Sequence, residues 1–462
     1  MPWGVFVVRK AFAVPSVFLF AFLFASAALA ETDNCADVIA EKKYVLVVDA
    51  YSSGNLLPAA LRARGYEPIH LLSSPDIPKD ILASYRPEDF DKALRFHFKD
   101  LLQIEHEVLA IKRHIHFVIP GSETGVPLAD FLSERWGLLS NGTELSEARR
   151  NKYLMAERLR SLGINAVKQF VSNNLDQILE DAPKLGKRVV VKPVKSAGSD
   201  DVFFCDTPKQ IRAAFKKIMG KRNAYGIPND MVLVQEYLDG PEYLVDTVVL
   251  DGQLQFTDAG YYTKTEANGS SAVYVGTTFV PYQELVDLGI VEYLNAVHRA
   301  LGIVSGPGHA EVKIVEREGK KVPILVEIGS RLAGGGIPVL IAAANGKSQL
   351  DHWLDMLFEP REFAKNVGRP YRWRAAEMVC LIARKSGELV SYPYLERIEK
   401  LPSFLRFRVR VNPGDHLPLT TSFLDVPGHF ELVHDDPKQV ARDAEKIRVW
   451  EQEPDFYKLA GE

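Results

Sequence analysis

The sequence predicts a multi-lobed chain of mixed α/β and α+β character, in which a doubly wound N-terminal lobe precedes antiparallel sheets. Three observations carry this. Strand-like and helix-like runs alternate from residue 42 to about residue 136, the order expected of a parallel sheet with crossover helices. From residue 187 onward apolar, β-branched runs follow one another, and Asp251-Gly252 separates EYLVDTVVL from QLQFT, a strong hairpin signal. A second hairpin, HAEVKIVEREGKKVPILVEIG (309–329), folds back about Gly319.

The totals set bounds. A chain of 462 residues suggests about two to four lobes. With 47% hydrophobic and 25% charged residues, it has the composition of a globular protein with a full core. The net charge of −4, with no basic stripe interleaved with aromatics, argues against a nucleic-acid surface. Cys35, Cys205 and Cys380 are far apart and odd in number, so neither a disulfide framework nor a zinc site is indicated.

In chain order, KKYVLVVDA (42–50) reads as a buried parallel strand, followed by the helix-like NLLPAALRARG and the strand EPIHLL. A helical run, FKDLLQIEHEVLAIKRH, then precedes the strand HFVIPG and the helix VPLADFLSERWG. This lobe spans 42–140. The run ELSEARRNKYLMAERLRSLG (144–163) has helical periodicity. Strands follow at KRVVVKP, DDVFFC and DMVLVQEYL, and the helix LVDLGIVEYLNAVHRALG precedes the second hairpin. The last part, 371–462, mixes the strands EMVCLIAR, RFRVRV and GHFELVH with a terminal helix, PKQVARDAEKIRVWEQE.

Folding 309–329 antiparallel about Gly319 pairs residues whose numbers sum to 638, so Glu311 faces Glu327. Like charges directly opposite destabilise a sheet, and a positive group between them would relieve this. A divalent cation carrying nucleotide phosphates is one candidate; an exposed, solvated sheet face is the alternative. By the strand period of two, His309, Glu311 and Lys313 share a face, as do Glu327, Gly329 and Arg331. Lys192 ends the apolar strand VVVKP, where burying an ammonium without an anion is costly. The small loop after it, VKSAGSDD, could close its N–H groups over phosphate. In LVQEYLDGPEYLVD, the strand end Gln235–Leu238 could offer backbone groups to a flat heterocycle, and Glu242 could meet ribose hydroxyls.

In order along the chain stand Lys152, VVVKP with its Ser/Gly loop, QEYLDGPE, the two carboxylates, and Arg331. That order resembles the ATP-grasp superfamily over roughly residues 42 to 450. GSETGVPLAD (121–130), LSNGTELSEARRNKYLM, VVVKPVKSAGSDDV, QEYLDGPEYLVDT and EIGSRLAGG look most like its L-amino-acid ligases, which join two amino acids. The resemblance implies an ATP-grasp fold whose antiparallel sheets sandwich the nucleotide, with the ATP-grasp domain at 141–370 and a nucleotide-covering lobe at about 165–240. It implies that Lys152 and Lys192 hold ATP phosphates beneath Ser196, Ala197, Gly198 and Ser199. It places adenine against Gln235, Glu236, Tyr237 and Leu238, and ribose on Glu242. Mg²⁺ (or Mn²⁺) would sit on Glu311 and Glu327. Arg331 would hold the phosphoryl group or the substrate carboxylate, with Glu123, His309 and Gly334 around the amino-acid substrate. The implied activity is ATP-dependent amide formation through an acyl phosphate, with Lys192 and Arg331 as the catalytic cations. A nucleotide-binding protein without turnover is the competing reading, motivated by two departures. Many members have Asn where this chain has Gly329, and SDG where it has Ser199-Asp200-Asp201.

Arg9 and Lys10 precede a twenty-residue apolar run, AFAVPSVFLFAFLFASAALA, that ends in Ala28-Leu29-Ala30. This is the pattern of a secretory signal peptide at 1–30, with a linker at 31–41. An uncleaved membrane anchor and a later translation start are the alternatives. Export is therefore expected if the signal is genuine, and a cytoplasmic location otherwise. After cleavage no membrane contact is expected, and a homodimer is the assembly allowed for.

Overall fold

The computed structural model describes residues 42–74, 84–95, 101–111, 115–196, 201–223 and 226–461. The expected leader and linker, 1–41, and Ala197, Gly198 and Ser199 of the Ser/Gly loop lie outside the described residues. Residues from Lys42 onward form one compact unit.

The N-terminal lobe is a parallel sheet of β1 (Lys43–Val48), β2 (Tyr66–Leu72), β3 (Lys92–Arg95) and β4 (Ile115–Pro120), in the order β3-β2-β1-β4. The doubly wound expectation holds, and β3 is a strand the sequence reading did not include. Strand order reverses between β1 and β4, and in open parallel sheets the crevice at such a switch point is where ligands bind. The loop after β4 carries Glu123 there, just ahead of the helix Val126–Arg135. Leu46, Val48, Ile69, Leu71 and Val118 pack on Leu128 and Leu132 of that helix. Each such fully buried side chain contributes about 1.5–3 kcal/mol.

A second, antiparallel sheet joins β5 (Gln169–Ser172), β6 (Val189–Pro193), β7 (Phe203–Cys205) and β8 (Val232–Glu236), in the order β5-β8-β6-β7. Val189, Val191, Val232 and Val234 bury one face against Ile178, Ile211 and Ile218. The opposite alternation leaves Lys192 and Gln235 on the face turned toward the main sheet's cavity.

The main sheet has eight antiparallel strands. They are β9 (Glu242–Leu250), β10 (Gln253–Ala267), β11 (Ser270–Phe279), β12 (Ser305–Arg317), β13 (Lys320–Gly329), β14 (Ala375–Cys380), β16 (Phe404–Val409) and β18 (Gly428–His434), in the order β13-β12-β9-β10-β11-β14-β18-β16. The residues from 371 on thus continue this sheet. A small sheet of β15 (Gly387–Ser391), β17 (His416–Leu417) and β19 (Lys458–Leu459) flanks it. The Asp251-Gly252 hairpin is present, with Leu250 paired to Gln253. Asn268-Gly269 makes a further tight turn between β10 and β11, an Asn-Gly signal the sequence reading passed over. Cys205 and Cys380 are buried free thiols. Among the described residues no helix is long and apolar enough to cross a membrane.

Two helices differ from expectation. The periodic run 144–163 is helical only over Lys152–Ser161. Asn151 caps it, its side chain accepting from Tyr153 N at 3.0 Å and Leu154 N at 3.1 Å. The residues before it stay in turns, and Arg149 reaches Asp130 at 2.8 Å and the Leu301 carbonyl at 3.1 Å. The run LVDLGIVEYLNAVHRALG forms two helices, Tyr282–Asp287 and Ile290–Ala300, because the chain turns left-handed at Gly289 (φ 68°) between them.

Candidate active site

The hairpin of β12 and β13 sets the geometry. Glu311 pairs with Glu327 and His309 with Gly329, as the sum of 638 requires. The route to that register differs from a simple fold about Gly319. Glu318 (φ 53°) and Gly319 (φ 72°) form a two-residue turn that pairs Arg317 with Lys320, a sum of 637. A bulge between Glu311 and Val312 opposite Val326 restores the 638 register at the carboxylates. Bulges of this kind re-aim side chains beside active sites.

Burial acts strongly on the facing pair. It pushes the Glu311 carboxyl up to about 7, with Glu327 and Glu242 adding to the effect. Burial also pushes Glu327 upward, but Lys152, Lys192 and Arg331 outweigh it and hold the group below its ordinary value. Lys152 Nζ forms an ion pair with Glu327 and donates to the Ser196 carbonyl at 2.6 Å. Burial, reinforced by Lys152, depresses the Lys192 ammonium to about 8. A buried carboxyl whose pKa is raised beside a second carboxylate marks a site short of positive charge, and a divalent cation fits it. Among the described residues no cluster of three or more His, Cys, Asp or Glu side chains gathers as a metal cage. The protein would therefore supply two carboxylates, leaving other positions to phosphate and water.

Above this pair lies a cavity of about 800 Å³ between the second sheet and the main sheet. Its walls include Lys152, Lys192, Ser196, Gln235, Glu236, Tyr237, Leu238, Glu242, Glu311 and Glu327, so one space gathers the described nucleotide and metal candidates. Two further lysines line it that the sequence reading did not assign, Lys264 and Lys313. Lys264 Nζ lies 2.6 Å from Glu242 and 4.5 Å over the Tyr274 ring, and Lys313 Nζ lies 3.9 Å from Glu242. Burial would raise the Glu242 carboxyl, but these two ammonium groups hold it below its ordinary value. The signal for Lys264 was its place in the alternating strand YYTKTEA, two residues after Tyr262 and so on the same face, with Tyr262 paired to Glu242. At the hinge, Glu236 N and Tyr237 N already donate to the Lys168 and Arg188 carbonyls. The Glu236 side chain accepts from Lys168 N at 2.8 Å and pairs with Arg317.

A second cavity of about 380 Å³ adjoins the first. Lys152, Ser196 and Glu327 line both. Glu123, Arg150, Gly329 and Arg331 line the second alone, so the parallel lobe's Glu123 and the hairpin's Arg331 do meet. Their separation is 3.3 Å. Gly329 now has an explanation: a Cβ there would lie 2.5 Å from Glu123 Oε2. Any side chain at this position would have to displace a carboxylate that comes from another lobe.

His309 lies one pairing step from Gly329, and Gly334 lies by Ser52 of the loop after β1, its added Cβ 3.5 Å from Ser52 Oγ. Neither is among the walls of the two cavities. Behind His309 runs a row no motif announced. Asp258, Asp246 and His309 sit directly opposite one another on β10, β9 and β12. His309 Nδ1 is 2.6 Å from Asp246 Oδ1. Burial, then Arg331, depresses the imidazole to about 4, and burial raises Asp246 to about 7. Despite the short contact, His309 is thus neutral at pH 7 and donates Nδ1–H to Asp246. Burial and Asp246 raise Asp258 far above its ordinary value, so the two carboxyls share a proton.

The ATP-grasp domain profile matches residues 185–339, the stretch bearing Lys192, the hinge and both carboxylates. The chain is 32% identical over 436 residues to dapdiamide A synthase of Enterobacter agglomerans, covering 91% of this chain and 98% of that one. It is 25% identical over 239 residues to the L-arginine-specific L-amino acid ligase of Bacillus subtilis, covering 51% of this chain and 55% of that one. The crystal structure of an L-amino acid ligase from Bacillus licheniformis shares the fold, with a TM-score of 0.69 at 19% identity over 88% of this chain and 97% of that one. The full-length match falls on a chain whose domain profile covers the strands with the paired carboxylates. The protein therefore belongs to the ATP-grasp family, as an ATP-dependent ligase that forms carbon–nitrogen bonds.

Proposed function

We propose that the protein joins two amino acids through an acyl phosphate, releasing ADP and phosphate. One observation carries this reading: the nucleotide cavity and the Glu123/Arg331 cavity share the wall of Lys152, Ser196 and Glu327. A phosphoryl group leaving the first space would emerge into the second. The names of the relatives, a dapdiamide synthase and an L-amino acid ligase, support amino acids as the class of substrate.

A carboxylate does not acylate an amine at neutral pH, because oxide is its leaving group. In the proposed reaction a carboxylate oxygen attacks the γ-phosphorus of ATP and the bond to ADP breaks. The amine of the second amino acid then attacks the acyl carbon, and phosphate leaves. Such transfers depend on positioning and on spread positive charge. Lys152 and Lys192 would meet the phosphates beneath the loop from Ser196 to Ser199. The Glu236–Leu238 backbone would receive adenine, and Glu242, held by Lys264 and Lys313, would receive ribose hydroxyls. Arg331 would hold the substrate carboxylate or the transferred group, with Glu123 beside it, and His309 and Gly334 would act from behind the cavity walls. Glu311 and Glu327 would hold Mg²⁺ (or Mn²⁺), which when bound supplies positive charge to the phosphate oxygens. Closing the site against water would protect the acyl phosphate.

A screen of amino-acid pairs for phosphate release tests this. ADP and phosphate should appear only with both substrates present. Release of AMP and pyrophosphate would refute the mechanism. Glu327→Gln should lower turnover at least about a hundredfold; unchanged turnover would remove Glu327 from the site. Export through residues 1–30 is carried as a further proposal, tested by N-terminal sequencing of the native protein. A homodimer is tested by sedimentation.

A further inference from the structure

Where the second cavity closes against the parallel lobe, Glu123 lies between two guanidinium groups. Arg331 Nε is 3.3 Å from one of its oxygens and Arg150 Nε 3.6 Å from the other. Both separations exceed the about 2.7–2.9 Å of a formed charge-assisted bond. Arg150 Nε is buried and makes no hydrogen bond among the described residues, a costly condition for a charged donor. The neighbouring cations are better matched: Arg149 lies 2.8 Å from Asp130, Lys195 lies 2.7 Å from Glu147, and Lys152 pairs with Glu327. Asp49, deeper in the lobe, acts on Arg150 only through charge. One loosely held carboxylate therefore lies between two arginines on the wall of the second cavity, and Arg331 also donates to the Leu332 carbonyl at 2.8 Å.

We propose that Arg150 is a second arginine of the receptor for the amino acid that becomes phosphorylated. Its guanidinium and that of Arg331 hold the substrate carboxylate, and Glu123 turns from between them to accept a hydrogen bond from the α-ammonium. Two positive groups and one negative group complement a zwitterion. A carboxylic acid without the amine would leave its charge facing Glu123 unrelieved, so the receptor selects α-amino acids over simple acids by repulsion as well as attraction. The cavity's shared wall with the nucleotide space keeps that carboxylate at the phosphate end. This inference rests on the ligase reading above.

The test is calorimetric titration of the full chain, loaded with MgADP, with each of the twenty standard L-amino acids. The tightest binder is then compared with its α-amide and its α-hydroxy-acid analogue. The wild type should prefer acid to amide by at least about tenfold. Arg150→Gln should weaken the acid by about ten- to a hundredfold while leaving the amide and MgADP within about threefold, and Arg150→Lys should recover part of the loss. Glu123→Gln should instead erase the preference for amino acid over hydroxy acid. Acid and amide weakened equally would mean a structural role, and unchanged acid binding would mean none; either result overturns the proposal. Failure of every amino acid to bind the wild type overturns the ligand class. Arg150-dependent binding without turnover of any pair would sink the ligase reading and leave the receptor standing. Turnover with normal acid binding in Arg150→Gln would do the reverse.

Discussion

Replacing Gly329 with Asn installs the residue that many ATP-grasp members carry two positions after the second metal carboxylate. Simple analogy predicts improved metal binding and activity; this structure predicts the opposite. The backbone at Gly329 has no left-handed φ, so a side chain is not excluded by conformation. Its Cβ, however, would stand 2.5 Å from Glu123 Oε2 and 3.3 Å from Arg331 Nε. An ordinary carbon–oxygen contact requires the Glu123 carboxylate to shift by nearly 1 Å from its present place beside Arg331. The carboxylate is the end of a flexible chain, so the fold should lose no more than about 1 kcal/mol, a Tm change within about 3 °C. Displacement of substrate-positioning groups by about 1 Å can cost a hundredfold in rate. Phosphate release with the best amino-acid pair should therefore fall about thirty- to a hundredfold, mainly in kcat/KM for the amino acids, with KM for ATP nearly unchanged. A Gly329→Asn protein as active as the wild type would refute the argument that Glu123 and a side chain at 329 compete for one space.

Other consequences follow from the charge arrangement. Burial lowers the Lys192 ammonium to about 8, so the charge proposed to bind phosphate is present at pH 7 and lost as pH rises through about 8. KM for ATP should rise over that interval in the wild type and less in Lys192→Arg, whose charge persists; identical profiles would remove Lys192 from phosphate binding. Asp246, raised to about 7 from an ordinary 3.8, binds more protons folded than unfolded between those values. The shared-proton pair therefore makes stability decline as pH rises from about 4 to 7. Asp258→Asn should flatten that part of the Tm-against-pH curve, and an unchanged slope would count against a shared proton. Arg149 has its side chain fully buried against Asp130. Arg149→Met should cost about 3–5 kcal/mol in urea unfolding by stranding that carboxylate; a loss below about 1 kcal/mol would show the pair to be dispensable.

The Glu311–Glu327 pairing was readable because a strand has a period of two and a tight turn sets the register of both arms. Even there the reading reached the right pair by a simpler path than the chain takes, since a bulge opposite Val326 compensates for the shorter turn. The start of the helix at Lys152 was misplaced because periodicity counts apolar residues. It does not weigh Asn151 as a cap or the pull of Asp130 and the Leu301 carbonyl on Arg149. Lys264 was missed because a lysine within an aromatic strand looks solvated until its neighbour across the sheet is known.

By itself the sequence determined the order of the lobes, the lysines proposed to bind phosphate, the strand end proposed to meet adenine, and the facing carboxylates. Those features are local: a turn, an alternation, or a short motif whose chemistry needs only near neighbours. Only the tertiary structure decided that Glu123 fills the space beside Gly329, that Arg150 shares it with Arg331, and that Asp258, Asp246 and His309 form one row. These contacts join strands and loops far apart in the chain, brought together by the strand order of two different sheets. Burial then decides which of the gathered groups keep their charge.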